Sequence, residues 1–312
     1  MELRPLGFGE IFDRAVTLYV RNFVPFAAIV GALIVPIAVV QYFYDVDSQP
    51  QLDAAVRVLM HPQAARTVPL PFEFGSPSAV IALVALLLAT YALWPFALNA
   101  VAVGVALVYR NATVGFRACY EIVLARWSQI IAMLFIELGV FVACYIACFV
   151  AAMPFAFMIA GIAAFAPRFG LFVGVVFMTA GFFALVVGAA ALGVALSFAM
   201  YATVIEERPP FESLTIAFDR IFNRREFWRA VLFSLAAAAI VLAGSAMFGF
   251  IGLIAAFLHL PLVQAAVESI VNAIITPFGA VLLAVYYFDV RIRHEGFDLE
   301  TSLEHLTTPQ PA

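Results

Sequence analysis

Residues 203–229 read TVIEERPPFESLTIAFDRIFNRREFWR. This is a charged island between two apolar runs, each too long to be an element of a water-soluble core. It opens on the carboxylate pair Glu206 and Glu207, breaks at Pro209 and Pro210, resumes with helical amphipathic spacing, and leads through Phe227 and Trp228 into lipid-like sequence. The same plan recurs twice. GEIFDRAVTLYVRN (9–22) precedes the first apolar run, and TVGFRACYEIVLARWS (113–128) precedes the third.

Composition sets the class. With 65% hydrophobic and 12% charged residues in a chain of 312, the apolar side chains exceed what a soluble globule of that size can bury. Six runs are long enough to cross about 30 Å of hydrocarbon. The expected fold is therefore all-α, a polytopic helical membrane protein with about six transmembrane helices and amphipathic interfacial helices before spans 1, 3 and 5. The spans fall at about 23–44, 79–109, 129–152, 170–204, 230–257 and 269–287, in a single integral membrane domain covering 1–312. A polar extracytoplasmic loop occupies 45–78, with Leu52 to Met60 expected as a short helix, and a cytoplasmic tail occupies 288–312, where Leu299, Leu303 and Leu306 suggest another. The run 129–166 exceeds one straight crossing, and either a bend at Pro154 or a continuation through it is expected, ending at Pro167–Arg168. Preludes roughly 100 residues apart suggest three units of one interfacial helix and two spans.

In the preludes, Ile11, Phe12, Ala15, Val16 and Tyr19 share one face of the first helix, and Phe116, Cys119, Tyr120, Val123 and Leu124 one face of the second, opposite the i,i+4 pair Arg117 and Glu121. In the fourth span Gly174, Gly181, Gly188 and Ala195 recur every seven residues, a register that favours close approach of another helix. The cysteines Cys119, Cys144 and Cys148 read as buried thiols, not as a disulfide framework.

Orientation rests on arginine, since all 16 basic residues are arginine. With the N-terminus inside, thirteen of them lie on the cytoplasmic side and only Arg57, Arg66 and Arg168 on the other. That asymmetry places both termini in the cytoplasm of a cell inner membrane.

Few groups within the spans are able to do chemistry. Glu137 lies about ten residues into the third span, roughly 14 Å deep at the rise of an α-helix. Asn99 precedes Arg110 by 11 residues and Ser197 precedes Glu206 by 9, so all three fall at similar depth. Two readings are open: a proton- or substrate-responsive site, or a protonated acid hydrogen-bonded to Asn99 that holds helices together. Arg220, Arg224, Arg225 and Arg229 are candidate contacts for lipid headgroups, although orientation alone accounts for such a cluster equally well. Glu206, Glu207, Asp219, Arg220 and Asp289 are candidates for an ion-pair network on the cytoplasmic rim. His61, His259, His294 and His305 are scattered, and no phosphate-cradling, nucleophile-elbow or zinc-protease motif occurs.

The opening LRPLGFGEIFDRAVTLYVRNF, the closing PFGAVLLAVYYFDVRIRHEGFDLE and the central AFDRIFNRREFWRAVLF together resemble the glycerophosphoryl diester phosphodiesterase membrane-domain family. The resemblance implies a stand-alone membrane region without that family's phosphodiesterase barrel, so it implies no diester hydrolysis and supplies no catalytic residues. The expected function is a non-catalytic scaffold or accessory module linked to membrane lipid or envelope processes; the alternative is a small-solute or lipid transporter with Glu137 in the pathway. No cofactor or metal is expected. The expected partners are membrane lipids, and a membrane protein or a second copy of the chain, with no nucleic acid.

Reporter fusions test the orientation: a fusion at Pro209 or after Ala312 is expected to report inside, and one within 61–76 outside. An outside signal at Pro209 would refute the arginine-based topology.

Overall fold

Hydrocarbon offers no hydrogen bonds to the backbone, so a chain of this composition folds as helices that satisfy themselves. The computed structural model describes residues 5–60 and 77–295, and among these there are nine helices and no strand. They are α1 (Phe8–Arg21), α2 (Phe23–Met60), α3 (Pro77–Tyr109), α4 (Phe116–Ala125), α5 (Trp127–Phe165), α6 (Pro167–Ile205), α7 (Pro210–Ile221), α8 (Phe227–Phe257) and α9 (Pro261–Glu295). Six are long and apolar enough to cross a membrane, which makes this a multi-pass helical membrane protein. The order short, long, long occurs three times, matching the preludes.

The long helices outrun the boundaries read from sequence. α5 continues for 39 residues through Pro154, because neighbouring turns of a helix in lipid keep their bonds where a proline removes one. It stops at Ala166 (φ −141°, ψ 80°), and Pro167, at the first position of α6, restarts the helix. α2 likewise runs past Asp45 to Met60, absorbing the short helix expected there, and α9 begins at Pro261 instead of Ser269. The expected tail helix and residues 61–76 of the polar loop lie outside the described residues.

The chain forms two compact units, Met1–Ala125 with Ala237–Ala312, and Arg126–Ala236. In the first, α2 packs on α3 and α9, α1 lies on α9, and α4 lies on α3. Gly104 permits the α2–α3 approach, since a Cβ there would stand 2.8 Å from Phe26. The buried stripe of α1 is Ile11, Ala15, Leu18 and Tyr19; Val16, expected on that face, is 46% exposed. Gly7 and Glu10 cap this helix, the Gly7 amide donating to Glu10 Oε2 at 2.7 Å. In the second unit α5, α6 and α7 pack together. Burial concentrates near the short helices: Ala97–Val105 of α3 and Ala280–Val290 of α9 in one unit, Ala191–Val204 of α6 in the other.

The heptad glycines do not act alike. A Cβ on Gly181 or Gly188 would meet nothing within 4 Å, and one on Gly174 would only touch Ile159 at 3.4 Å, so the glycines of this stripe face open space along the described chain, while its fourth member, Ala195, is buried. Gly170 is the tight position, where a Cβ would stand 2.6 Å from the Ala163 Cα. Gly170→Ala is expected to destabilise the α5–α6 hairpin by about 1–3 kcal/mol, and Gly181→Ala to be neutral, as read by thermal unfolding in detergent. Equal melting of the two variants would contradict this packing.

Candidate functional site

Polar side chains gather where the short helices meet the spans. In the first unit two phenols enter span backbone: the Tyr19 hydroxyl donates to the Ile274 carbonyl at 2.6 Å and the Tyr120 hydroxyl to the Ile29 carbonyl at 2.7 Å. Ile274 adjoins Ala273, whose carbonyl has lost its helical donor to Pro277, so the Tyr19 bond sits at the weakest turn of α9. Burial pushes both phenols up to about 12. A folded-state pKa raised from about 10 means the protonated donor is favoured by folding; the tethers hold through neutral pH and fade only as pH climbs from about 10 toward 12. Burial likewise pushes the Cys119 thiol up to about 11, which leaves it unreactive at neutral pH; Cys144 and Cys148, expected to be buried, are exposed, because they lie on an outward face of α5.

A second tie joins the two ends of the chain. The Leu6 amide donates to Asp289 Oδ1 at 2.6 Å, Arg293 Nε donates to Asp289 Oδ2 at 3.0 Å, and Arg293 Nη2 donates to the Leu6 carbonyl. Asp289 and Arg293, one helical turn apart on α9, thus grip both polar groups of one residue. Asp289 belongs to this latch in the first unit, whereas Glu206, Glu207, Asp219 and Arg220, with which it was grouped as a candidate network, belong to the second.

In the second unit the charged island folds around Glu206. Arg220 of α7 donates to both of its carboxylate oxygens, at 2.9 and 3.2 Å, and Arg208 donates Nε to Glu206 Oε2 at 2.9 Å. The side chains of Glu206 and Arg220 are only 2% and 4% exposed. Arg208 also bonds Glu212 at 2.6 Å, and that carboxylate, with Glu206, raises its pKa further. Glu207 turns the other way to pair with Arg126 at the start of α5, from a backbone with φ 62° that a glutamate seldom adopts. Of the expected network, Glu206 and Arg220 are therefore direct partners and Glu207 finds a different one, and together these pairs fix α7 and α5 against the end of α6.

The candidate intramembrane residues divide. Asn99 lies in the first unit, 1% exposed, its Nδ2 donating to the Pro95 carbonyl of its own helix at 2.8 Å; its Oδ1 is buried without a hydrogen-bond partner among the described residues. Glu137 and Ser197 lie in the second. Ser197 donates to Gly193 of its own helix at 2.9 Å, and Glu137, half-buried on α5, makes no hydrogen bond among the described residues. The four arginines also divide. Arg220 is enclosed with Glu206, and so is not a headgroup contact. Arg229 is held 3.5 Å from Glu226 and is largely covered, while Arg224 and Arg225 are exposed.

One cluster escaped the sequence reading. In the first unit Gln41 donates to Asp45 Oδ1 at 2.8 Å and Gln264 donates to Glu268 Oε1 at 3.1 Å, with Glu268 near enough to Asp45 for their charges to interact. Asp45 is 3% exposed. The signal was a glutamine four residues before an acid, occurring twice, but both pairs fell wholly or partly in segments expected to be connections. Among the described residues no group of three or more His, Cys, Asp or Glu is disposed to hold a metal.

Compared with known proteins, the chain matches no family model, no curated protein and no solved structure.

Glu206→Ala would leave the Arg220 guanidinium buried without its carboxylate, and is expected to cost about 3–5 kcal/mol. Glu206→Leu combined with Arg220→Met is expected to recover most of that loss in thermal unfolding. A double variant no better than Glu206→Ala would show that the pair is needed for more than mutual neutralisation.

Proposed function

We propose that this chain is a non-catalytic, six-span protein of a bacterial-type inner membrane, with both termini cytoplasmic, acting as a scaffold or accessory module linked to membrane lipid or envelope processes. The observation that carries the reading is where its polar groups go. Tyr19, Tyr120, Asp289, Arg293, Glu206 and Arg220 each bind a short helix or the N-terminal segment to a span, so in each unit the conspicuous chemistry anchors interfacial segments to spans. The arginine asymmetry supports a cytoplasmic side for these segments, and the family resemblance supports a stand-alone membrane region. Affinity purification in mild detergent, with co-purifying lipids and proteins identified by mass spectrometry, tests this; recovery of neither would count against an accessory module.

A second reading, transport of a small solute or lipid, is favoured by Glu137 alone, a span carboxyl group with no hydrogen bond among the described residues. Ionised, such a group costs on the order of 3 kcal/mol in hydrocarbon, which is a reason to seek a use for it. Under the scaffold reading Glu137→Gln leaves growth unchanged and stability within about 0.5 kcal/mol. A lost transport or growth phenotype with unchanged melting would transfer the conclusion to transport.

A further inference from the structure

Between α7 and α8 the chain turns through Asn223–Glu226, and the rings around that turn form one continuous series. Phe218 stacks on Phe222 with centroids 5.1 Å apart, Phe222 lies 5.9 Å from Phe227, and Phe227 meets Trp228 edge-on at 5.3 Å. Trp228 is 60% exposed and Phe222 47%. Aromatic rings, tryptophan above all, settle at the boundary between headgroups and acyl chains. The turn they flank is thereby held at headgroup depth.

Two guanidiniums stand at that turn without a carboxylate. Arg220 is neutralised by Glu206 and Arg229 lies beside Glu226, but Arg224 and Arg225 are exposed and make no ion pair among the described residues. Adjacent in the chain, they present planar donor forks suited to the oxygens of a phosphate. We infer that the Arg224–Arg225 turn, flanked by the Phe218–Trp228 aromatic series, binds the phosphate of an anionic phospholipid headgroup. The inference deepens the proposed membrane-lipid role by naming the lipid class and the residues, and it rests on this turn lying in a membrane interface. Soluble phosphate would satisfy the guanidiniums equally; the exposed rings favour a ligand that brings acyl chains with it.

The test uses the full chain purified in detergent and titrated with equimolar phosphatidylglycerol and phosphatidylcholine, with bound lipid counted by native mass spectrometry. The wild-type protein is expected to retain phosphatidylglycerol preferentially, and less so as salt is raised. Arg224→Gln should lower that preference about fivefold, and Arg224→Gln with Arg225→Gln should bring it close to parity. Arg117→Gln, which removes an exposed arginine already paired with Glu121, should leave it unchanged. An undiminished preference in the double variant overturns the inference, and so does a wild-type preference indifferent to salt, a measurement that stands even if the double variant fails to fold. Displacement of the lipid by free glycerol phosphate would assign the turn to a soluble phosphate and likewise overturn it. Because binding is read in detergent, it does not depend on sidedness: a reporter placing this turn outside the cell would defeat the cytoplasmic orientation while leaving the lipid preference intact.

Discussion

Every arrangement in this protein answers to the absence of hydrogen-bonding solvent along most of its length. A peptide group facing hydrocarbon without a partner costs several kcal/mol, so the backbone closes into helices up to 39 residues long and tolerates proline within them at Pro36, Pro95, Pro154 and Pro277. At about 1.5 Å per residue, α5 and α6 are each about 58 Å long. That is nearly twice the hydrocarbon thickness of about 30 Å, so neither helix lies within the layer by standing upright. Tilt, or extension beyond the layer, is imposed by their length.

The same constraint explains where the side-chain polarity sits. Hydrophobic burial drives little helix association inside lipid, since acyl chains are as apolar as leucine. Directional bonds and close packing of small residues must supply the specificity. Here they do so near the short helices, where alanine-rich turns such as Ala97–Val105 are buried and where the Leu6–Asp289–Arg293 latch and the Glu206–Arg220 pair close their respective units. A buried ion pair of the second kind adds little net stability. Its two bonds tie Arg220 of α7 to Glu206 at the end of α6.

How much of this was readable beforehand varies with the kind of interaction. The six spans and the three preludes follow from composition and 3.6-residue periodicity, and they were legible. The candidate sites were legible only as residue types. Arg220 and Arg224 look alike in a run of arginines, yet one is enclosed by a carboxylate 14 residues earlier and the other is exposed; no local pattern separates them. The heptad glycines looked like a packing seam, whereas the tight glycine is Gly170, made so by a hairpin closing at Ala166. Ile11, Ala15 and Tyr19 of the expected face of α1 are buried, but Val16 is exposed and Leu18, which that reading left unassigned, is buried, a rotation set by the packing of α1 on α9 and its Tyr19 bond there.

What the sequence by itself determined is the solvent of each segment, because apolar length and the positions of arginine state directly which residues belong in lipid and which at its edge. What only the tertiary structure decided is which polar group answers which. Ionic and hydrogen-bonded partners are chosen by distances of about 3 Å between residues up to 287 positions apart, and a one-dimensional pattern carries no such distances. The fold class was therefore present in the amino-acid sequence, while the latch, the buried pair and the two arginines left exposed beside it came into being only when the helices packed.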